Sequence, residues 1–424
     1  MGNIEKNLLE ETAAWVDEER AKTDRVKKPW DVWIDAELGL RNHWYPAALS
    51  RQIEEGGFKA ITLLGENILL TRQDGKLFAL EDRCPHRGVR FSARPLCYTK
   101  ETLTCWYHTF TFNLEDGNLR TILNEPESPM IGKVQIKSYP LEELKGVVFA
   151  FVGDISPPPV GHDVAPGFLD DDAVVYCAEP YVIDANWRLA CENGYDPGHQ
   201  FIHNWSPFSI KNEIPMSFGW VSNKESVLRT TTYFDSDDGP KGFTRRAAET
   251  NIVQEAVIPM NDGSLVEVKL PAAEGKTREE LNEIAEYAHS CEVGLWMPCM
   301  LKVDPWPADP AIHFESYVPR DSTSHTYFQF GVLKTNDKAE ADEWMNSRAH
   351  EEWEIPTVED FTIDDAFARK ELQKFYSEED GWKRERLYRP DIELTMWRKF
   401  VTKHARGVQT SDHAKGFFSR TDRE

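Results

Sequence analysis

The hydrophobic pattern changes character twice along the chain. Residues 1–40 are polar and helix-prone over 3–25, ending near Pro29 and Trp30, and are expected to form an N-terminal helical arm. From His43 onward, short apolar runs alternate with turns. The runs 60–64, 67–71 and 76–80, the last two divided by Asp74-Gly75, predict a β-meander. An Asp-Gly pair between β-rich runs is a strong signal for a hairpin turn. The pattern recurs over 109–112, Asp116-Gly117 and 118–122, and the run 147–152 closes the unit. Pro157-Pro158-Pro159 and Pro166-Gly167 then mark a joint. Beyond it, strand-like stretches such as 325–332 mix with helix-like ones such as 364–376. Residues 234–285 are weakly patterned and suggest an insertion. The expected fold class is α+β: an arm over 1–40, an all-β domain over 41–155 and a larger α+β domain over 156–424.

Composition narrows the function. Forty-nine basic and 72 acidic residues leave a formal charge of −23, which repels phosphate backbones and argues against nucleic-acid binding. No apolar run reaches the roughly 18 to 20 residues of a membrane span. The charged N-terminus lacks the apolar centre of a signal peptide, so the expected location is the cytoplasm. Seven cysteines are too few, and odd in number, for a disulfide framework. Near histidines at short spacing they read first as metal ligands. The 14 Trp, 13 Tyr and 22 Phe suit either a large core or an apolar ligand cavity.

Two constellations carry the chemistry. Cys84-Pro85-His86-Arg87-Gly88 follows one predicted strand and Cys105-Trp106-Tyr107-His108 precedes another. Each loop is expected at the tip of a β-hairpin and offers one thiolate and one imidazole, a metal site. Zinc competes for such a Cys₂His₂ set, but zinc loops usually pair Cys with Cys and His with His. One Cys and one His per loop fits a Rieske [2Fe–2S] cluster, with two Cys on one iron and two His on the other. Gly88 would let backbone amides approach the sulfides. Cys97 lies outside both loops and is expected to be a buried thiol.

In the second constellation, Asp196, His199 and His203 fall at i, i+3 and i+7. On one helix these would lie within roughly 60° of a common face. Two His one turn apart suit bidentate metal binding. A mononuclear non-haem Fe(II) site needs two His and one carboxylate, with positions left open for O₂ and substrate. The carboxylate should come from elsewhere, and Asp364-Asp365 at the start of a predicted helix supplies two adjacent candidates. Either could instead serve as a helix cap. Asn193 is either a polar neighbour of the open iron position or a helix-start cap.

Together these motifs, from Arg41-Asn42-His43-Trp44-Tyr45-Pro46 to Gly407-Val408-Gln409-Thr410, resemble the Rieske non-haem iron aromatic-ring-hydroxylating oxygenases, as the terminal oxygenase (α) component. The His199 to His203 spacing, with Asp365-Ala366-Phe367-Ala368-Arg369 and Asp380-Gly381-Trp382, looks like the branch containing carbazole 1,9a-dioxygenase and 2-oxoquinoline 8-monooxygenase. The resemblance implies an N-terminal Rieske domain, a helix-grip catalytic domain and a homotrimer without a small subunit. It implies a cluster held by Cys84, His86, Cys105 and His108, and iron held by His199, His203 and Asp365, with Asp364 the alternative. It gives Asp196 the role of coupling the iron to a cluster histidine of the neighbouring subunit. The implied substrate is a fused aromatic, nitrogen heteroaromatics included. It would be lined by Gly194, Val293, Leu301, Val303, Trp306 and Phe361 and oriented by His313 and Glu315. Electrons are implied to come from a ferredoxin and an NADH-dependent reductase. The chain itself has no Gly-x-Gly-x-x-Gly loop and no plant-type ferredoxin cysteine run. A related demethylating monooxygenase and a non-catalytic Rieske carrier are the alternatives.

Overall fold

The computed structural model describes residues 29–415 except 222–226, 228, 247–250, 254, 278 and 285–290. The helix expected over 3–25 lies outside the described residues. The first half is built from three antiparallel three-stranded sheets. One joins Phe58–Leu63, Glu66–Gln73 and Lys76–Glu81, and a second joins Thr102–Thr104, Phe110–Asn113 and Leu119–Ile122. The third pairs His43–Leu49 and Leu141–Leu144 with Val147–Val152. The turn Asp74-Gly75 has φ of 49° and 76°, and Leu64-Gly65 repeats it at 53° and 77°. Positive φ at both central residues gives a two-residue turn the twist of its flanking strands.

The second half is organised around one eight-stranded antiparallel sheet. Its centre is Ile312–Pro319 paired with the long strand His325–Lys334, flanked by Met300–Asp304, Glu292–Trp296 and Gly242–Arg246. The suggested insertion over 234–285 is therefore corrected. Gly242–Arg246 is an internal strand of this sheet, while the pair of Trp220–Val221 with Asn251–Ile252 and the hairpin of Ala256–Pro259 with Leu265–Val268 stand apart from it. Periodicity missed the strand because its neighbours cover both faces and bury Gly242 to Arg245 without alternation.

Every residue of Ile312–Pro319 is buried, yet its two faces differ. Phe314 points into an aromatic cluster with Phe168 and Phe330, while His313, Glu315 and Tyr317 face the other way. Helices Trp187–Tyr195, Ile363–Glu378 and Ile392–His404 complete this half. The helix Trp187–Tyr195 packs on the sheet and against Ile363–Glu378. Its N-cap is Asn186, whose side-chain oxygen accepts the Arg188 N–H. One apolar core runs from Trp44 and Phe151 through Trp33 and Trp187 to Tyr317 and Trp397. A separate one surrounds Cys84 and Cys105. The chain end returns across both halves: Leu40 pairs with Val408, and Gln409 Nε2 donates to Glu66 at 2.9 Å.

Candidate metal centres

The two cysteine loops are built alike. The Cys84 N–H bonds the Val89 carbonyl and the Gly88 N–H returns to the Cys84 carbonyl. The Cys105 N–H bonds the Phe110 carbonyl and the Thr109 N–H returns to Cys105. Gly88 and Thr109 hold equivalent places, at φ of 76° and 60°. The expectation of two hairpin tips is half corrected. Only the Cys105 loop joins paired strands, whereas the Cys84 loop leaves one sheet for another. Gly88 adopts a left-handed conformation that favours glycine, with φ of 76°.

The cysteines are buried, His86 is exposed and His108 half-buried. The imidazole centroids lie 4.5 Å apart at 75°. The Cys105 thiol is pulled down to about 6 by the hydrogen bond from Cys84, then, against burial, by the N–H groups of Tyr107 and His108. Backbone N–H groups of His86 and Arg87 approach Cys84 in the same way. Thiolates supported by loop amides, beside two imidazoles at the surface, fit a Rieske cluster. Cys97 is half-buried rather than buried, and burial lifts its thiol to about 11.

At the second centre, one ligand atom from each of His199, His203 and Asp365 lies within 4.8 Å of the others. His199 Nε2 and His203 Nε2 are each 3.6 Å from Asp365 Oδ1. The His199 Nδ1–H donates to the Asp196 carbonyl at 2.5 Å, which leaves the Nε2 lone pair free. His203 is fully buried, and among the described residues neither of its ring nitrogens has a hydrogen-bond partner, nor has Asp365 Oδ1. Leaving such atoms unmatched costs about 1–3 kcal/mol each, so the site fits a bound cation. Burial works to raise the Asp365 carboxyl, but His203, Arg369 and His199 overcome it and hold it below the usual carboxylate range. Burial, with Asp365 beside it, raises Asp364.

Residues 151–409 match the family described as "Homotrimeric ring hydroxylase", and residues 43–140 match "Rieske [2Fe-2S] domain". The chain belongs to this ring hydroxylase family. It is 38% identical to the carbazole 1,9a-dioxygenase terminal oxygenase of Metapseudomonas resinovorans, over 92% of this chain and 97% of that one. A fluorene-bound oxygenase and ferredoxin complex of carbazole 1,9a-dioxygenase superposes with a TM-score of 0.81 at 38% identity, covering 92% and 97% of the two chains. The terminal oxygenase from Novosphingobium sp. KA1 gives 0.80 at 36%, covering 93% and 99%. The protein is thus a Rieske-type ring-hydroxylating oxygenase, with a [2Fe–2S] cluster and a mononuclear non-haem iron as its cofactors. No helix among the described residues is long and apolar enough to cross a membrane.

The ring hydroxylase does not carry Asp196, His199 and His203 on one helix. The α-helix stops at Tyr195, Asp196 is extended with ψ of 120°, and His199–Trp205 is a separate 3₁₀ segment. Pro197 causes the break, because the residue before a proline avoids the helical region. The Asp196 carboxylate turns back to accept the Gly198 N–H at 2.7 Å. Asn193 is no helix-start cap: it lies in the last turn, and its Oδ1 accepts from Arg369 Nε at 2.6 Å.

Of the expected substrate contacts, Phe361 stacks on His203 with centroids 3.7 Å apart, and Trp306 lies 4.6 Å from Phe361. Val293, Val303 and His313 are successive cross-strand partners, as are Leu301 and Glu315. Gly194 has no space for a side chain: a Cβ there would strike the Tyr317 hydroxyl and sit 3.2 Å from Leu301 Cδ2. Of the buried polar set behind these residues, the sequence indicated His313 and Glu315 but not their partners Trp353, Tyr317 and Arg369. Trp353 Nε1 donates to His313 Nδ1 at 3.1 Å, so His313 Nε2 carries the proton given to Glu315 at 2.8 Å. The Tyr317 hydroxyl donates to the same carboxylate at 2.5 Å. The available signal was Arg369, four residues after Asp365 on a predicted helix.

Proposed function

We propose that this chain is the terminal oxygenase of a multicomponent system that hydroxylates a fused aromatic, with nitrogen heteroaromatics as the favoured class. It would act in the cytoplasm as a homotrimer, with a ferredoxin and an NADH-dependent reductase supplying electrons. Support comes from the family description, from relatives named for carbazole and from their ferredoxin complexes. The division into 41–155 and 156–424 separates the two tasks.

In this reading Cys84, Cys105, His86 and His108 hold the cluster, and His199, His203 and Asp365 hold the iron. The bound cluster supplies single electrons and the bound ferrous iron offers open positions to dioxygen. The Asp196 carbonyl orients His199, and the Asp196 carboxylate faces the cluster of a neighbouring subunit. Asn193 stands beside the triad as a polar contact. Phe361 and Trp306 wall the cavity next to His203, with Gly194, Val293, Leu301 and Val303 behind, and keep water from the reaction. His313 and Glu315 serve as polar orienters.

The observation that carries this is the buried, unpartnered His203 and Asp365 pair facing His199. Purified protein should contain acid-labile sulfide and a second iron population. His199→Ala should lose the second population and lower turnover at least about 100-fold, with the visible spectrum of the cluster unchanged. Retained turnover would refute the assignment. With ¹⁸O₂ and a panel of fused aromatics, labelled hydroxyl groups should appear on the ring, and release of an unlabelled dealkylated product would favour a demethylase.

A further inference from the structure

Behind the triad lies a buried charge with no part in the chemistry above. Arg369 is 1% exposed. It follows Asp365 by four residues in helix Ile363–Glu378, so both project from one face. Its Nε donates to Asn193 Oδ1 at 2.6 Å, and Nη2 is 3.6 Å from Glu315 Oε2. The guanidinium carbon lies 4.9 Å and 4.8 Å from the ring centres of Tyr317 and Tyr327. Nη1 has no hydrogen-bond partner among the described residues.

Stability alone explains such a residue poorly. An apolar side chain of similar volume commonly serves a core as well as a buried charge does. Glu315 is already supplied by His313 and Tyr317. What Arg369 alone provides is an occupant for the Asn193 oxygen. A side-chain amide has one acceptor end and one donor end. With the oxygen engaged, Asn193 is locked in one orientation, and its N–H₂ end points away from Arg369. The same guanidinium sets a fixed positive charge one helical turn from Asp365, in surroundings too dry to screen it.

We propose that Arg369 is a positioning residue for the iron site. It locks the Asn193 amide in one orientation next to the ligand triad, and its charge balances the Asp365 carboxylate. The inference rests on the iron assignment above.

Arg369→Lys keeps the charge and loses the Nε clamp, whereas Arg369→Gln loses the charge. These variants, Asn193→Ala and the Arg369→Lys/Asn193→Ala double variant are loaded with ferrous iron. One readout is the rate at which a chelator strips non-cluster iron. The other is hydrogen peroxide, formed when dioxygen takes two electrons and two protons from the chemically reduced protein instead of entering carbazole, the probe aromatic. Arg369→Gln should lose iron about tenfold faster, and Arg369→Lys at close to the wild-type rate. Peroxide should rise several-fold in Arg369→Lys, equally in Asn193→Ala and no further in the double variant, since both break one contact. Wild-type values in both Arg369 variants, or additive peroxide in the double variant, would overturn the proposal. If the Arg369 variants misfold and lose the cluster spectrum, Asn193→Ala decides alone, and unchanged peroxide overturns it. Wild-type protein that binds no second iron would sink the iron assignment instead, so the two failures are distinguishable.

Discussion

Two buried histidines show how environment separates ligand from scaffold. His203 has both ring nitrogens unpartnered among the described residues and faces a carboxylate. His325 is equally buried, but its Nδ1–H donates to the Ala185 carbonyl at 2.6 Å. Burial, then the nearby Arg369, lowers the His325 pKa to about 3. The unfolded value is near 6.5, so the unfolded chain binds the extra proton first as pH falls. Stability from this residue is complete above pH 6.5 and is lost progressively down to about 3. Between pH 7 and 5 the loss is about 2 kcal/mol, about 2 °C in melting temperature for a chain of this size. His325→Gln should show a smaller drop over that interval, read by thermal melts at the two pH values. The adjacent acids make a similar point. Residue chemistry alone does not separate Asp364 from Asp365, and only the family resemblance favours Asp365; folding buries the Asp365 side chain to 5% exposure and leaves Asp364 at 27%. Which acid faces inward depends on how the helix is rotated against its neighbours, and that was not legible locally.

At the scale of elements, spacing predicted more regularity than the chain has. The i, i+3, i+7 spacing fits one helix, but Pro197 enforces two segments. The two His still converge because the 3₁₀ segment aims them at helix Ile363–Glu378. Helix Trp187–Tyr195 is held by charge: Arg398 forms a bidentate pair with Glu192 at 2.8 and 2.7 Å and bonds Glu385 at 2.6 and 2.9 Å. Trp33 Nε1 adds a bond to Glu192 at 2.6 Å. Arg398→Met would strand two part-buried carboxylates. The expected cost is about 3–5 kcal/mol, with a lower melting temperature and faster loss of non-cluster iron. In the cluster loop, Gly88→Ala places a side chain at φ 76°. It should cost about 1 kcal/mol or more and reduce sulfide content after reconstitution. The meander and the two Cys-His loops were plain in the sequence because turn chemistry is local. The strand Gly242–Arg246 was not, because its pattern is set by neighbours distant in the chain.

Over the whole molecule, the proposed electron route crosses between subunits. Asp196→Asn should leave cluster, iron content and trimer mass unchanged but slow product formation about 10- to 100-fold in a single turnover. Sedimentation, metal analysis and rapid mixing would check the three parts, and loss of iron instead would mean that Asp196 acts only within its own chain. The ligand types, their grouping into loops and the α+β order were legible in the sequence, because cysteine, histidine and turn residues act through local geometry and intrinsic chemistry. That Arg369 holds Asn193, and that residues 406–409 bond Asn42 and Glu66, follow from tertiary packing. Those contacts join positions 176 to 364 residues apart. They depend on how faces of elements are paired, which no short window of sequence encodes.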